Sequence, residues 1–225
     1  MGATKVGVIT EGPVHEVLVA AFLQRIARER AHFEWPLLPD DATEFVPTRK
    51  RGHGGVLDAV KRLVSFVEES VCFNDRAFFV IVLDHRTKAV QERIRKIIRG
   101  SDRFIVGIAI EEMEAWWLGD RVNTLAWLQL SSSLPPGARY AAPGYTAEKD
   151  KHPKRTLDEL TMISTAVTRR YGQGNTEMAR EFAQVLEYGA RLDDIEGQCP
   201  RGFGAFCRDT TNAMNRAKAR TGRLF

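Results

Sequence analysis

Ala77-Phe78-Phe79-Val80-Ile81-Val82-Leu83-Asp84 is the stretch that decides the fold. An unbroken apolar run stops abruptly at an acid. A strand with one face in water alternates apolar and polar residues, whereas a strand covered on both faces is apolar throughout. The run is too short for a buried helix and has strand length. It therefore predicts a central strand of a parallel sheet with helices on both faces.

Working outward, the flanking segments alternate in kind. Lys5 to Thr10 is a β-branched apolar run stopped by Glu11-Gly12-Pro13, and His15 to Ala31 then carries Val17, Leu18, Ala21, Phe22 and Ile26 at helical spacing. Phe33 to Leu38 reads as a second short strand, and Asp40 to Gly55 as a loop rich in Gly, Pro, Thr and charge. Val56 to Val71 returns to helical periodicity. After Asp84, a helix is predicted from Thr87 to Ile98, a strand from Arg103 to Ile110, and a helix beginning at Glu111-Glu112-Met113-Glu114. Strand and helix in alternation require crossover connections and an open, mainly parallel α/β sheet flanked by helices, here over residues 1–125. From 126 to 225 the pattern changes. Ser131 to Tyr145 is a Ser/Pro/Gly/Ala-rich loop, and Lys154 to Ile163, Thr176 to Gly189 and Phe203 to Lys218 read as helices with no strand between them. That half is expected to be a helical extension packed on the core.

With 225 residues and 44% hydrophobic content, the chain can bury one substantial core and a small addition to it. Neither a signal-peptide pattern nor an apolar run of membrane-spanning length is present in the sequence, so a cytoplasmic protein without a membrane partner is expected. Cys72, Cys199 and Cys207 are odd in number and form no Cys-x-x-Cys pair, which supports neither a disulfide framework nor a cysteine zinc site. The net charge of +4 suits a polyanionic partner. Its placement is more telling, in Arg49-Lys50-Arg51, Lys151 to Arg155, Arg169-Arg170 and the segment from Arg208 to Arg223.

In open α/β sheets, ligands gather beyond the carboxyl ends of the strands. Acids stand at that edge three times. Glu11 follows the first strand, Asp84 the central one, and Glu112 with Glu114 the last. Read singly, Glu11 fits a turn, Asp84 fits a helix N-cap, and Glu111, Glu112 and Glu114 fit the acidic first turn of a helix. Read together, they would repel one another at the end of a buried sheet, and a hard divalent cation with oxygen ligands is the simplest remedy. Trp116 and Trp117 are expected to pack in the core rather than to stack on bases.

Three segments in order carry a resemblance: Val6 to Pro13 with its Glu-Gly-Pro, Val80 to Asp84, and Ile110 to Asp120 with Glu-Glu-Met-Glu-Ala-Trp-Trp. Together they resemble a bacterial Toprim-like family of unknown function, similar to the Toprim nuclease domains of overcoming-lysogenization-defect proteins and to Toprim subunits of ATPase-linked anti-phage systems. The likeness extends over roughly the first 160 residues, through Lys151-His152-Pro153-Lys154, and weakly to Cys199-Pro200-Arg201-Gly202-Phe203. What it implies is a Toprim-like fold and a Mg²⁺- or Mn²⁺-dependent nuclease. Glu11 then resembles the Toprim glutamate, Asp84 the first aspartate of the Asp-x-Asp motif, Glu114 the later metal-binding glutamate, and Lys154 a lysine near the scissile phosphate. The implied metal ligands are Glu11, Asp84 and Glu114. Secondary candidates are His15 and Glu16, where relatives often carry an acid, together with Arg86, which replaces the second aspartate, and Glu112. Arg86 changes that part of the site by two charges, so one metal, two metals or a degenerate site all stay open. The implied partners are nucleic acid bound without sequence specificity and an AAA or ABC-type ATPase encoded nearby. Homo-oligomerisation is left open.

Overall fold

The computed structural model describes residues 4–32, 37–41, 53–69, 76–84, 88–130, 134 and 137–221. Four strands, β1 (Thr4–Ile9), β2 (Leu37–Asp41), β3 (Arg76–Asp84) and β4 (Phe104–Ala109), lie parallel in the order β2-β1-β3-β4. The chain moves from β1 to β2 on one side, then crosses to β3 on the other side of β1. Connections leaving β1 and β3 therefore diverge, which opens a crevice between their carboxyl ends.

Both faces of this sheet are covered, as the unbroken apolar run requires. Along β3 the side chains alternate between two cores. Phe78, Val80 and Val82 join Val6 and Val8 against Leu18, Phe22 and Ile26 of α1 (Pro13–Glu29). Phe79, Ile81 and Leu83 join Ile9 and Phe104 against Val56, Val60 and Leu63 of α2 (His53–Glu69) and Ile94 of α3 (Lys88–Ile97).

The second half of the chain supplies the rest of the first face. It comprises α4 (Glu114–Gly119), α5 (Arg121–Trp127), α6 (Pro153–Ile163), α7 (Tyr171–Gly189), α8 (Leu192–Gln198) and α9 (Phe203–Thr221), with 3-10 turns at Arg139–Ala141 and Ala147–Lys149. Helix α7 runs along α1, where Arg28 meets Glu187 at 2.7 Å and Arg25 Nε donates to the Ala190 carbonyl at 3.0 Å. Trp116 stacks on Phe206 at 5.1 Å and Trp117 on Phe182 at 4.5 Å, so both indoles pack in the core. Helix α9 lies so close to β4 that a Cβ at Gly107 would stand 2.7 Å from Phe206 Cδ2. One apolar cluster thus runs from Val6 to Ala217 through residues 1–125 and 126–225 alike.

Several boundaries differ from the sequence reading. The second strand runs over Leu37–Asp41, past the expected end at Leu38, because an edge strand tolerates Pro39; residues 33–36 of the expected strand lie outside the described residues. Helix α4 begins at Glu114 and not at Glu111, since Glu111 adopts φ +67, a left-handed turn that ends the β4 connection. Helix α7 begins at Tyr171, ahead of Thr176; two glycines weaken helix propensity there, but tertiary docking of Tyr171 overrides it. Helices α5 and α8 were not foreseen. Cys199 and Cys207 are buried free thiols, while Cys72, Arg49 to Arg51, Arg86 and Arg223 lie outside the described residues. Among the described residues no helix is long and apolar enough to cross a membrane.

Candidate functional site

The ends of β1 and β3 each deliver one acid to the α1 side of the crevice. Ile9 pairs with Ile81, so the chain leaving β1 arrives level with the end of β3. There the Glu11 Oε1 accepts a hydrogen bond from the Asp84 main-chain N–H at 3.1 Å. Asp84 has the same alternation parity as Phe78, Val80 and Val82, which turns its side chain toward α1. Its Oδ1 accepts from the Met113 N–H at 3.1 Å and lies 3.7 Å from His15 Nε2. His15 sits in the first turn of α1, on the buried stripe that continues through Leu18, Val19 and Phe22. Pro13 starts that helix at a position where its missing N–H costs nothing.

The turn after β4 delivers two more carboxylates. With Glu111 in the left-handed region, Glu112 and Glu114 both turn inward and are buried. Glu112 Oε2 accepts from the Lys154 N–H at 3.3 Å, which satisfies an otherwise orphan donor in the first turn of α6. The Lys154 ammonium stands 3.5 Å from Glu112 Oε1 and 4.0 Å from Glu114 Oε1. Glu114 Oε1 also accepts from the Tyr171 hydroxyl at 2.5 Å, whereas Glu114 Oε2 is buried with no hydrogen-bond partner. Glu16 is half-buried beside His15.

The electrostatics follow from burial and crowding. Burial, then the neighbouring Glu11 carboxylate, push Asp84 up to about 7, against the opposing pull of Lys154 and the Met113 N–H. Burial raises Glu114 as well, with Lys154 and Tyr171 resisting. Burial lowers His15 and outweighs the attraction of Glu114 and Glu11, which leaves a neutral imidazole at neutral pH. Lys154 goes the other way: burial works against its charge, but Glu114, Glu112 and Asp84 together raise its pKa. The Tyr171 phenol is held protonated by burial and by the Glu114 carboxylate it serves. Three carboxylates, Glu114, Glu112 and Asp84, thus act on the one ammonium of Lys154.

Among the described residues, no three His, Cys, Asp or Glu side chains form a group able to hold a metal ion as they stand. The donor chemistry nevertheless fits a hard divalent cation. Glu11, Asp84 and Glu114 offer carboxylate oxygens, and two buried atoms in the same pocket, Glu114 Oε2 and His15 Nδ1, have no hydrogen-bond partner.

Glu11, Asp84, Glu114, Lys154, His15 and Glu112 are brought together at one sheet edge. Tyr171 escaped the sequence reading. It joins Glu114 across 57 positions, and its local setting of Arg169, Arg170 and Gly172 gives no sign of it. Glu148 escaped too. Its buried carboxylate accepts from the Arg201 and Gly202 N–H groups at 2.9 and 2.7 Å, anchoring the start of α9 as Glu112 anchors α6. Comparison of the chain with family models, with curated proteins and with solved structures gives no match.

Proposed function

We propose that the chain is a Toprim-like, Mg²⁺-dependent nuclease that hydrolyses phosphodiester bonds of DNA or RNA, working as the effector subunit of an ATPase-linked anti-phage system. One observation carries the chemistry: Glu11 and Asp84 meet at the reversal point of a parallel sheet, beside Glu114, with the Lys154 ammonium held at its edge. The system and the ATPase partner are supported by the resemblance of the three acidic segments alone.

Glu11, Asp84 and Glu114 would hold the ion, which when bound supplies charge stabilisation at the phosphate and an activated water. The remaining work falls to the chain's own side chains. Lys154 is nearly half exposed, so its ammonium reaches outward from the acids toward an incoming phosphate oxygen and neutralises it. Tyr171, donating to Glu114 Oε1, fixes the carboxylate and leaves Oε2 buried and without a hydrogen-bond partner. Glu11 locks the end of β3 through the Asp84 N–H, and Glu112 positions Lys154 through its main chain.

A second reading draws on the same contacts. Lys154 already sits between Glu112 and Glu114 as a built-in cation, which favours a catalytically degenerate binding or sensor subunit docked on an ATPase. Cleavage of plasmid DNA and of RNA across a Mg²⁺ and Mn²⁺ titration, with and without a neighbouring ATPase, separates the two. Metal-dependent cleavage supports the nuclease; its absence under every condition supports the sensor.

A further inference from the structure

Residues 139–152 fold a shallow groove of about 420 Å³, lined by Arg139, Tyr145, Lys149, Asp150, Lys151 and His152 among others. The Asp150 carboxylate is buried and turned inward. It accepts from the Tyr145 hydroxyl at 3.1 Å, from the His152 N–H at 2.9 Å and from the Thr156 hydroxyl, with Arg139 Nη1 at 3.4 Å. Arg139 balances that charge, while Lys149, Lys151 and His152 are exposed. The charged side chains of the groove are therefore net positive.

Its chain continues directly into Pro153 and Lys154 at the start of α6, so the exposed lysines lead to the ammonium that sits on Glu112 and Glu114. The positive end of the α6 dipole adds to the same side. Lys149, Lys151 and Lys154 are strung along one segment. Such a series suits the successive phosphates of a strand better than one isolated phosphate. By contrast, Arg155, Arg169 and Arg170 are each neutralised by an acid, Glu159, Glu177 and Asp158 respectively.

We propose that this groove is a phosphate-backbone subsite that guides a single nucleic-acid strand toward the acid cluster, an inference that rests on the acid cluster being where a phosphodiester is handled. Recognition is through the backbone and is tolerant of sequence.

The test is fluorescence anisotropy with a fluorescein-labelled single-stranded oligonucleotide, DNA and RNA in separate arms, in EDTA so that nothing is cleaved. The Lys149→Ala/Lys151→Ala variant should bind about tenfold more weakly at low salt, and its plot of log affinity against log salt should flatten by about 1.4, the loss of two single-strand phosphate contacts. Lys149→Gln/Lys151→Gln should behave alike, and thermal melts matching wild type exclude misfolding. Arg95→Ala/Lys96→Ala, exposed on α3 at the opposite face of the sheet, should leave binding unchanged. Wild-type affinity and slope in the groove variants, an equal loss in the α3 variant, or no binding by wild type would each overturn the proposal. Binding lost in the groove variants while wild type shows no metal-dependent cleavage leaves the groove standing and removes only the nuclease.

Discussion

The Glu11 carboxylate accepts the main-chain N–H of Asp84 at 3.1 Å, bridging the two parallel strands between which the strand order reverses. That bond gives Glu11 a positioning task separable from any ligand role. Glu11→Ala orphans the Asp84 N–H and should lower stability by about 1–2 kcal/mol. Glu11→Gln keeps an acceptor oxygen and should melt close to wild type, whereas added Mg²⁺ should raise the melt of wild type and not that of this variant. Equal melts for all three proteins, with and without Mg²⁺, would remove both roles.

Asp84 makes stability pH-dependent in a definite direction. Its carboxyl is raised from 3.8 to about 7, so the folded state binds more protons than the unfolded state between those values. The contribution is complete below about pH 3.8 and is lost as pH rises through about 7. Asp84→Asn retains an oxygen for the Met113 N–H. Relative to wild type it should gain stability steadily from acid to neutral pH, reaching about 1–3 kcal/mol at mildly alkaline pH. Urea melts across that range check this, and parallel profiles for the two proteins would contradict it. Added Mg²⁺ should narrow the gap by stabilising wild type alone.

Tyr171→Phe isolates the hydroxyl that serves Glu114. The ring can keep its edge contact with Trp117 at 5.5 Å, so packing is preserved while Glu114 Oε1 loses its shortest hydrogen bond. Stability should fall by about 1–2 kcal/mol, and cleavage by about tenfold, with KM little changed. A variant indistinguishable from wild type in both would reduce Tyr171 to a packing residue.

How much of this was legible in the sequence depends on the range of the contact. The run from Ala77 to Leu83 betrayed a doubly covered strand because burial on both faces leaves no room for polar alternation. Acids at three strand ends pointed to one edge because parallel strands end together. Even the direction of Asp84 could be read from its parity with Phe78, Val80 and Val82. Tyr171 and Glu148 could not be found this way, since their partners depend on how α7 and α9 dock, and docking leaves no local spacing. Helices α5 and α8 are only seven residues each, too short to show periodicity.

Helix α9 should behave as part of the core rather than an appendage. Gly107→Ala places a methyl against Phe206 and Val82, where the nearest approaches are 2.7 and 3.2 Å. Overpacking of that kind should destabilise by about 1–3 kcal/mol. Denaturant melts would show it, and unchanged stability would mean that α9 lifts from β4 at little cost.

The central claim is that the Glu11, Asp84 and Glu114 pocket performs metal-dependent phosphodiester hydrolysis, and Glu114→Gln tests it most directly. The substitution removes a charged ligand with little change of shape and leaves an oxygen for Tyr171. Plasmid and RNA cleavage should be followed for wild type and Glu114→Gln over a Mg²⁺ and Mn²⁺ titration, alone and with any ATPase encoded nearby. The account predicts metal-dependent cleavage by wild type and a fall of about 10²-fold or more in the variant, with folding and oligonucleotide binding preserved. Equal cleavage by the two proteins, or none by wild type under any condition, would contradict it.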